Sequence, residues 1–421
     1  MIGIECWKNY KLGDCVNFVS GGTPSKKNPE YWDGNIPWVS CKDMKKAYLY
    51  DSQDHITEKG AANGTRFVSP ETIIIVVRGM ILGQHFPVAI AKRKMAFNQD
   101  LKALECAPNV HPKFLFHWLR GKSYEILGIV DEAAHGTKRL QTDRLQNFPL
   151  HLPPLPIQRK IAGILSAYDD LIENNTRRIE ILEEMARSIY REWFVNFRFP
   201  GHEQVQMVDS ELGLIPKGWE VVKVEDIYRT SSGGTPSRKN PDFYGGSILW
   251  IKTRELNDGF IFDTEEKITD LGLQKSSAKL FPPDTVIMAM YGATIGMLGI
   301  FTSPAATNQA CCAILNNNSL FSSYYAFLYL LENREKIFSL GMGAAQQNIS
   351  QQVIKALEIL KPSNEVMRKF NDLAEPLFKT IKVLQHKNIN LRQTRDLLLP
   401  RLISGEIDVE NLDINTDQIA A

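Results

Sequence analysis

Two stretches of the chain carry apolar residues at the alternating four-and-three spacing that is typical of a coiled-coil helix. Residues 157–197 contain one glycine and no proline. Their apolar positions are Ile161, Leu165, Tyr168, Ile172, Ile179, Leu182, Ala186, Ile189 and Trp193. In the second stretch they are Phe370, Ala374, Leu377, Ile381, Leu384, Leu391, Leu398 and Leu402. The pattern predicts two long helices, and about 40 residues at roughly 1.5 Å each would reach about 60 Å.

Polar residues and a proline interrupt these two seams. Asn175 and Asn388 stand where apolar residues are expected, and we expect them to face each other in an antiparallel helix pair. The alternative is that both asparagines point to solvent beside an imperfect seam. Arg395 interrupts the second seam, and Pro376 predicts a kink or a fresh start of the second helix. A further alternative is that the two helices are ordinary amphipathic helices that pack on their own domains.

The regions before each helix have a different pattern. Short apolar or alternating runs, separated by Gly, Pro and Asn, predict β-strands at residues 36–39, 72–77, 89–91, 248–251, 286–290 and 297–301. Helical patterns follow at residues 112–120 and 322–337. Because these elements do not alternate as βαβ units, we expect an α+β fold with mixed sheets and short helices.

An internal repeat organises the chain. Residues 21–40 begin Gly-Gly-Thr-Pro-Ser and return as residues 233–252, with 11 of 20 positions identical. Asn98-Gln99 pairs in the same way with Asn308-Gln309. The repeat and the helices predict six segments: globular domains at 1–153 and 219–362, long helices at 154–198 and 363–406, a linker at 199–218 and a tail at 407–421.

Composition narrows the class of protein. The 421 residues are 43% hydrophobic and 23% charged, as in globular proteins of more than one domain. No apolar run approaches the roughly 20 residues that a bilayer span needs, and the N-terminus lacks the pattern of a secretion signal. The six cysteines form no C-x-x-C motif. We expect a reduced, cytoplasmic protein without structural zinc.

The net charge of +1 is unevenly distributed. Residues 1–152 hold 20 basic and 15 acidic side chains, a net charge of +5, whereas residues 201–361 hold 14 and 17, a net charge of −3. The excess of basic residues in the first region is compatible with a polyanionic partner but does not prove one.

Catalytic motifs are scarce. The sequence has neither the Gly-rich turn and Asn/Asp-Pro-Pro-aromatic loop of a methyltransferase nor a phosphate-binding P-loop. A metal-dependent nuclease that uses Asp242, Glu265 and Lys267 is one alternative. The repeat argues against it, since the first half has no counterpart of the Glu265-Glu266-Lys267 run.

The repeated loops are better suited to binding. The glycines of the Gly-Gly-Thr-Pro-Ser loop would permit unusual backbone angles, and its short polar and basic side chains could meet phosphates or base edges. A tight structural turn packed on Trp38 or Trp250 explains the loop equally well. The candidate DNA contacts are Thr23, Ser25, Lys26, Lys27, Asn28, Ser40, Lys42, Arg78, Lys138 and Arg139 in the first half, and Thr235, Ser237, Arg238, Lys239, Lys252, Arg254, Tyr291, Gln346, Gln347 and Asn348 in the second.

The order of these motifs resembles the specificity subunit of Type I restriction-modification enzymes over nearly the whole chain. The resemblance rests on the Gly-Gly-Thr-Pro-Ser-x-x-Asn-Pro loop in both halves, on Gly-Leu-Ile-Pro-Lys-Gly-Trp at 213–219, on Ile-Gln-Arg-Lys-Ile-Ala at 157–162, and on Leu-Pro-Arg-Leu-Ile-Ser-Gly-Glu-Ile at 399–407.

The resemblance implies two target-recognition domains that are separated by two antiparallel helices with a seam at Ile172, Asn175, Ile179, Leu384, Asn388 and Leu391. Each domain would read half of a split double-stranded DNA site with an unread spacer. The chain would bind no cofactor and would not itself be an enzyme. Two modification subunits carrying S-adenosylmethionine would dock on the helices, and restriction subunits using ATP and Mg would join them. A coiled-coil scaffold for protein binding is the alternative.

Overall fold

The computed structural model describes residues 7–132, 136–316, 320–341 and 348–414. The chain forms two compact units: the first comprises residues 1–173 and 389–421, and the second comprises residues 174–388. Each unit therefore takes one part of both long helices, together with one of the two globular repeats.

The first unit contains two mixed sheets. The five-stranded sheet has the order Val16–Ser20, Leu101–Cys106, Ile73–Val76, Val88–Ala91, Tyr48–Leu49. The four-stranded sheet has the order Asp54–Ile56, Trp32–Val39, Met95–Phe97, Arg66–Val68. Ile73–Val76 is buried at every position, as expected for a β-branched run in the middle of a sheet. The strand Lys8–Lys11 pairs with Pro149–Leu152 just before the first long helix.

The second unit repeats this arrangement. Its five-stranded sheet has the order Tyr228–Ser232, Cys311–Asn316, Val286–Ala289, Leu298–Phe301, Gly259–Ile261. Its four-stranded sheet has the order Lys267–Ile268, Tyr244–Ile251, Ala305–Thr307, Leu280–Phe281. Glu220–Lys223 pairs with Glu358–Lys361 before the second long helix. The strands at all six expected positions are present. The five-stranded and the four-stranded sheet of each unit combine parallel and antiparallel pairs, which confirms the α+β fold class.

Short helices complete each globular part. In the first unit they are Leu12–Cys15, Glu58–Ala62, Pro112–Gly121, Ser123–Leu127 and Thr142–Gln146. In the second unit they are Val224–Ile227, Asp270–Gln274, Ser323–Glu332, Arg334–Leu340 and Gln351–Lys355. The helix expected over residues 322–337 is thus two helices, because Asn333 separates them with a backbone conformation outside the helical region. The hairpin Met207–Ser210 with Gly213–Pro216 lies in the expected linker.

The first long helix, Leu155–Tyr190, spans 36 residues and ends in a π-helical turn, Arg191–Val195. The second, Asn364–Ile403, spans 40 residues. Within the second unit, Asn175 bonds to Asn388, while Phe194 lies 4.9 Å from Phe370, ring centroid to centroid. The two helices are therefore antiparallel in that unit.

Of the expected kink or fresh start at Pro376, the fresh start is wrong, because the second helix is continuous through this residue; the kink stays a prediction. Ala374 and Phe378, on either side of the proline, are buried in the main apolar core of the second unit. The packing of these neighbours stabilises the helix where the proline alone would favour a break.

The interruption at Arg395 also has a structural explanation. The Arg395 guanidinium contacts the buried Asp169 carboxylate at 2.5 Å, and Arg120 contacts the other oxygen of the same carboxylate at 2.6 Å. Burial alone would raise the pKa of Asp169, but the nearby cationic groups, including Arg120 and Arg395, hold it below its ordinary value. A charged residue is tolerated in the seam because it is paired.

Candidate nucleic-acid interface

The Gly-Gly-Thr-Pro-Ser loop is anchored in the same way in both units. In the first, the Gly22 amide donates to the Phe97 carbonyl at 2.9 Å, and the Trp38 indole N–H donates to the Gly22 carbonyl at 3.0 Å. In the second, Gly234 donates to Thr307 at 2.9 Å and receives the Trp250 indole N–H at 3.0 Å. The loop therefore packs against the tryptophan in each unit, and its remaining side chains are displayed from a fixed backbone.

The glycines are required for a different reason from the one expected. None of Gly21, Gly22, Gly233 and Gly234 has a positive φ. A Cβ atom at Gly22 would lie 1.9 Å from the carbonyl oxygen of Gly64, and one at Gly233 would lie 2.1 Å from the hydroxyl of Thr307. The expectation of unusual backbone angles is wrong, because the glycines serve close backbone packing instead.

The polar side chains of the loop divide into structural and displayed groups. The side-chain oxygens of Asn28 and Asn240 accept hydrogen bonds from the amides two residues later, at 3.3 and 3.1 Å, and so cap short 3-10 turns. Ser25 and Ser237 are exposed. The hydroxyls of Thr23 and Thr235 are hydrogen-bonded to the side chains of Gln99 and Gln309.

The basic side chains of the first unit are mainly displayed to solvent. Lys26 and Lys27 are exposed, and the Lys26 ammonium lies 5.8 Å from the centre of the Trp32 ring. Lys42 lies 3.8 Å from the Asp54 carboxylate. The backbone amide and hydroxyl of Ser40 both donate to Asp43, at 2.8 and 3.1 Å. Ser40 thus has a structural role in this turn.

In the second unit most of the matching cations are paired. Arg238 and Lys252 contact Glu266, and Arg254 contacts Glu265. Lys239 remains exposed. The two units therefore present the same loop with different electrostatics.

In each unit, a second segment is connected to the Gly-Gly-Thr-Pro-Ser loop. In the first unit, Arg78 and Arg139 form an isolated antiparallel bridge. The Arg78 amide donates to the Asp100 carbonyl at 3.2 Å. Gln99, the residue before Asp100, bonds to Thr23. The Lys138 side chain pairs with Glu132 at 2.7 Å. Thr23, Gln99, Arg78 and Arg139 therefore lie along one continuous chain of contacts.

The second unit has the same connection. Tyr291 and Asn348 form the equivalent bridge. The amide of Met290, next to Tyr291, donates to the Ala310 carbonyl at 2.9 Å, and Ala310 follows the Gln309 that bonds to Thr235. Gln346 and Gln347 lie outside the described residues.

Sequence reasoning did not include Gln99 and Gln309 among the candidates. Each links the Gly-Gly-Thr-Pro-Ser loop to the second segment of its unit. The signal was available, because the pair Asn98-Gln99 recurs as Asn308-Gln309. Glutamine can form two hydrogen bonds with an adenine edge, so both belong on the list of candidate contacts.

The residues of the nuclease alternative do not form a metal centre. Glu265 is occupied by Lys252 and Arg254, and Lys267 pairs with Asp263 at 2.9 Å. Within the described ranges, no group of three His, Cys, Asp or Glu side chains could hold a metal ion. Among the described residues, no helix is both long and apolar enough to cross a membrane.

The expected contact between the seam asparagines is present. The Asn175 side-chain amide donates to the Asn388 side-chain oxygen at 2.9 Å, and Asn388 donates to the Thr176 hydroxyl at 3.3 Å. Asn175 is 8% exposed and Asn388 is 3% exposed, so neither points to solvent. Of the other seam candidates, Ile172, Ile179 and Leu384 are buried and Leu391 is half-buried.

Comparisons with known proteins agree with this architecture. The "MjaIX specificity subunit" of a Type I restriction enzyme from Methanocaldococcus jannaschii is 29% identical over 416 residues, which cover 96% of this chain and 94% of that protein. The "HindI specificity subunit" from Haemophilus influenzae is 25% identical and covers 95% of this chain and 99% of its own. The crystal structure of a Type I restriction-modification S subunit from M. genitalium shares the fold, with a TM-score of 0.63 and 14% identity over 94% of this chain and 96% of that one.

The family model described as the Type I restriction modification DNA specificity domain matches residues 4–184 and 216–393. Each match covers one repeat and part of the long helix that follows it. Because the matches together span well over half of the sequence, the chain belongs to the Type I restriction-modification DNA specificity family, and its role is to recognise the DNA target of such a complex rather than to catalyse a reaction.

Proposed function

We propose that the chain recognises a double-stranded DNA target in two halves, one read by each repeat, with an unread spacer between them. The observation that carries this proposal is the duplicated surface: both units hold an anchored Gly-Gly-Thr-Pro-Ser loop joined through a glutamine to a second segment. One reading surface per unit is what a split target requires. A coiled-coil scaffold alone would need neither surface.

The candidate contacts have different roles in this proposal. Exposed cations such as Lys26, Lys27 and Arg139 would meet phosphates and set the position of the duplex. Gln99, Gln309 and Asn348 carry the side-chain amides that suit base edges. Asn28 and Ser40 would act indirectly, because their side chains already form hydrogen bonds within their own turns; Asn240, the repeat counterpart of Asn28, does the same.

The proposal includes partner subunits. Two modification subunits that bind S-adenosylmethionine would dock on the helical region, and restriction subunits that use ATP and Mg would complete the complex. The segments 1–153 and 219–362 would be the recognition domains, and 154–198 and 363–406 the spacer helices. The charged, half-exposed outer faces of the long helices are compatible with such docking.

Exchanging one recognition domain tests the split target. Residues 1–152 are replaced by the same domain of a relative, and methylated adenines are mapped in a host that carries the complete system. We expect one half of the target to change and the other to stay. The reciprocal exchange of residues 219–362 is the matched control and should change the opposite half. A change in both halves after either exchange would contradict independent reading.

A further inference from the structure

Two carboxylates lie among the basic side chains of the second unit's candidate DNA surface. Glu266 accepts two hydrogen bonds from Arg238, at 2.7 and 3.1 Å, and its oxygen lies 3.3 Å from the Lys252 ammonium. Glu265 pairs with Arg254 and lies 3.4 Å from the same ammonium. Three of the cations expected to contact DNA are therefore already engaged within the protein.

The backbone that carries the two carboxylates is held by hydrogen bonds with neighbouring side chains. The Glu265 amide donates to one carboxylate oxygen of Glu255 at 2.8 Å, and the Lys252 amide donates to the other at 2.7 Å. The Thr264 hydroxyl donates to the Glu266 carbonyl at 2.7 Å. The hydrogen bonds from Arg238 lower the pKa of Glu266 and so favour its charged form. The ion pairs thus belong to a fixed turn.

The cations are fixed as well. The Arg238 guanidinium lies 4.4 Å from the centre of the Tyr244 ring and 5.3 Å from that of Trp250. The Lys252 side chain is only 16% exposed. Because these groups are already ordered, an exchange of carboxylate for phosphate needs little rearrangement of the protein.

The first unit differs at the equivalent positions. The repeat offset aligns Glu265 with Gln53 and Glu266 with Asp54. Lys26, which aligns with Arg238, contacts the Trp32 ring, and within the described part of the chain no carboxylate lies within 4.0 Å of its ammonium. The repeat has kept the loop in both units. The first unit keeps one carboxylate at these positions, Asp54, which lies 3.8 Å from Lys42, whereas the second unit has two adjacent carboxylates that engage three candidate cations.

We propose that Glu265 and Glu266 are specificity-determining residues that compete with DNA phosphates for Arg238, Lys252 and Arg254. Binding to arbitrary DNA depends almost entirely on phosphate contacts. In the second unit, phosphate contacts would replace existing ion pairs and leave two carboxylates near the DNA backbone. Phosphate contacts alone would therefore add little to the free energy of binding. Only a target that also supplies base contacts offsets the loss of the ion pairs within the protein. The inference rests on the proposed function, since it requires DNA at this surface.

The test is the double variant Glu265→Gln with Glu266→Gln in the full-length chain. Glutamine keeps the size and one oxygen acceptor but removes the charge. Binding to a mixed-sequence duplex and to the mapped target duplex is measured over a range of salt concentrations. We expect tighter binding to the mixed-sequence duplex and a salt dependence of log K that is steeper by roughly one to two, since each phosphate contact contributes about 0.9. Affinity for the target duplex should increase less, so the ratio of target affinity to mixed-sequence affinity should fall.

Asp263→Asn is the matched control, because it removes a carboxylate from the same turn whose ion pair is with Lys267, outside the candidate contacts. Asparagine keeps an oxygen that can accept from the Thr264 amide, which lies 2.9 Å from the Asp263 carboxylate. It should leave both measurements unchanged. The single variants Glu265→Gln and Glu266→Gln provide the same readout if the double variant has a lower thermal unfolding midpoint than the wild type.

Two outcomes would overturn the proposal. An unchanged salt dependence in a folded double variant would show that the carboxylates do not compete with phosphates. Weaker target binding with unchanged mixed-sequence binding would show that they contact bases instead, for example by accepting from a cytosine amino group. Lys26→Gln with Lys27→Gln, in the first unit, separates these from failure of the proposed function: if this variant and Arg238→Gln both leave the salt dependence unchanged, DNA does not bind at these loops.

Discussion

At the scale of single residues, His117 has a measurable consequence for stability. It lies in the helix Pro112–Gly121, fully buried, with its Nε2 atom 3.2 Å from the Ser166 hydroxyl. Burial lowers its pKa from 6.5 to about 3. Between these two values the unfolded chain binds a proton that the folded chain does not. Stability contributed by neutral His117 is therefore complete above about pH 6.5 and is lost as the pH falls toward 3.

We expect His117→Gln to flatten the pH dependence of stability in this window. The histidine can contribute at most about 1.4 kcal/mol per pH unit to the free energy of unfolding. Thermal unfolding midpoints measured from pH 7 to pH 4 would show it as a smaller decrease in the variant. The exposed His85 provides the control, because His85→Gln should follow the wild type. Equal decreases in the wild type and His117→Gln would contradict the assignment.

Single residues also show where sequence reasoning stops. The loop of Gly22 is a local pattern, and the repeat located it. Asn28 was expected to contact DNA, and its bond to the backbone amide of Glu30 was not predicted. The reason for the glycines was not local, since it depends on Gly64, which approaches Gly22 only in the folded sheet. The ion pairs of Glu265 and Glu266 were also missed, because residue types in a sequence do not reveal which cation a carboxylate will meet.

At the scale of the helices, the Asn175–Asn388 pair is a candidate determinant of register. The hydrogen bond between the two buried amides is satisfied only when these positions meet. A net contribution of about 0.5–1.5 kcal/mol for the hydrogen bond is smaller than that of two buried leucines, at about 1.5–3 kcal/mol each. We expect Asn175→Leu with Asn388→Leu to raise the thermal unfolding midpoint and to make spacer length less strictly selected in methylation mapping.

The single variant Asn388→Leu is the control for this prediction. It removes the acceptor of the Asn175 amide and should lower stability, by about 1–3 kcal/mol for a buried polar group that loses its partner. A double variant that is less stable than the wild type would contradict the idea that the asparagines fix the register of the helices and lower their stability.

The helices themselves were predictable because periodicity is a property of neighbouring residues. The continuity of the second helix was not predictable in this way. Pro376 is tolerated through the packing of Ala374 and Phe378, and Arg395 through Asp169, which lies 226 residues away in the sequence. Both exceptions depend on contacts between distant segments, which a linear pattern does not contain.

At the scale of the whole molecule, the repeat predicted two similar halves, but sequence order alone could not show how the helices are shared. The first compact unit takes residues 389–421 from the far end of the chain, and the second begins at residue 174, within the first long helix. Each repeat therefore packs with parts of both helices. Exchanging a globular domain must preserve the positions that contact the long helices, such as Arg120, which binds Asp169 of the first helix.

If the paired helices set the distance between the two reading surfaces, their length should set the length of the unread spacer. Removing residues 172–178 and their repeat counterparts 385–391 deletes one heptad from each helix. Seven residues make almost two full turns, so the seam keeps its face, while each helix shortens by about 10 Å. At about 3.4 Å per base pair, we expect methylation mapping to show a spacer shorter by about three base pairs, with both half-sites unchanged.

Removing the heptad from the first helix alone would misalign the seam and should lower the thermal unfolding midpoint. An unchanged spacer in a folded double deletion would show that something other than helix length sets the gap.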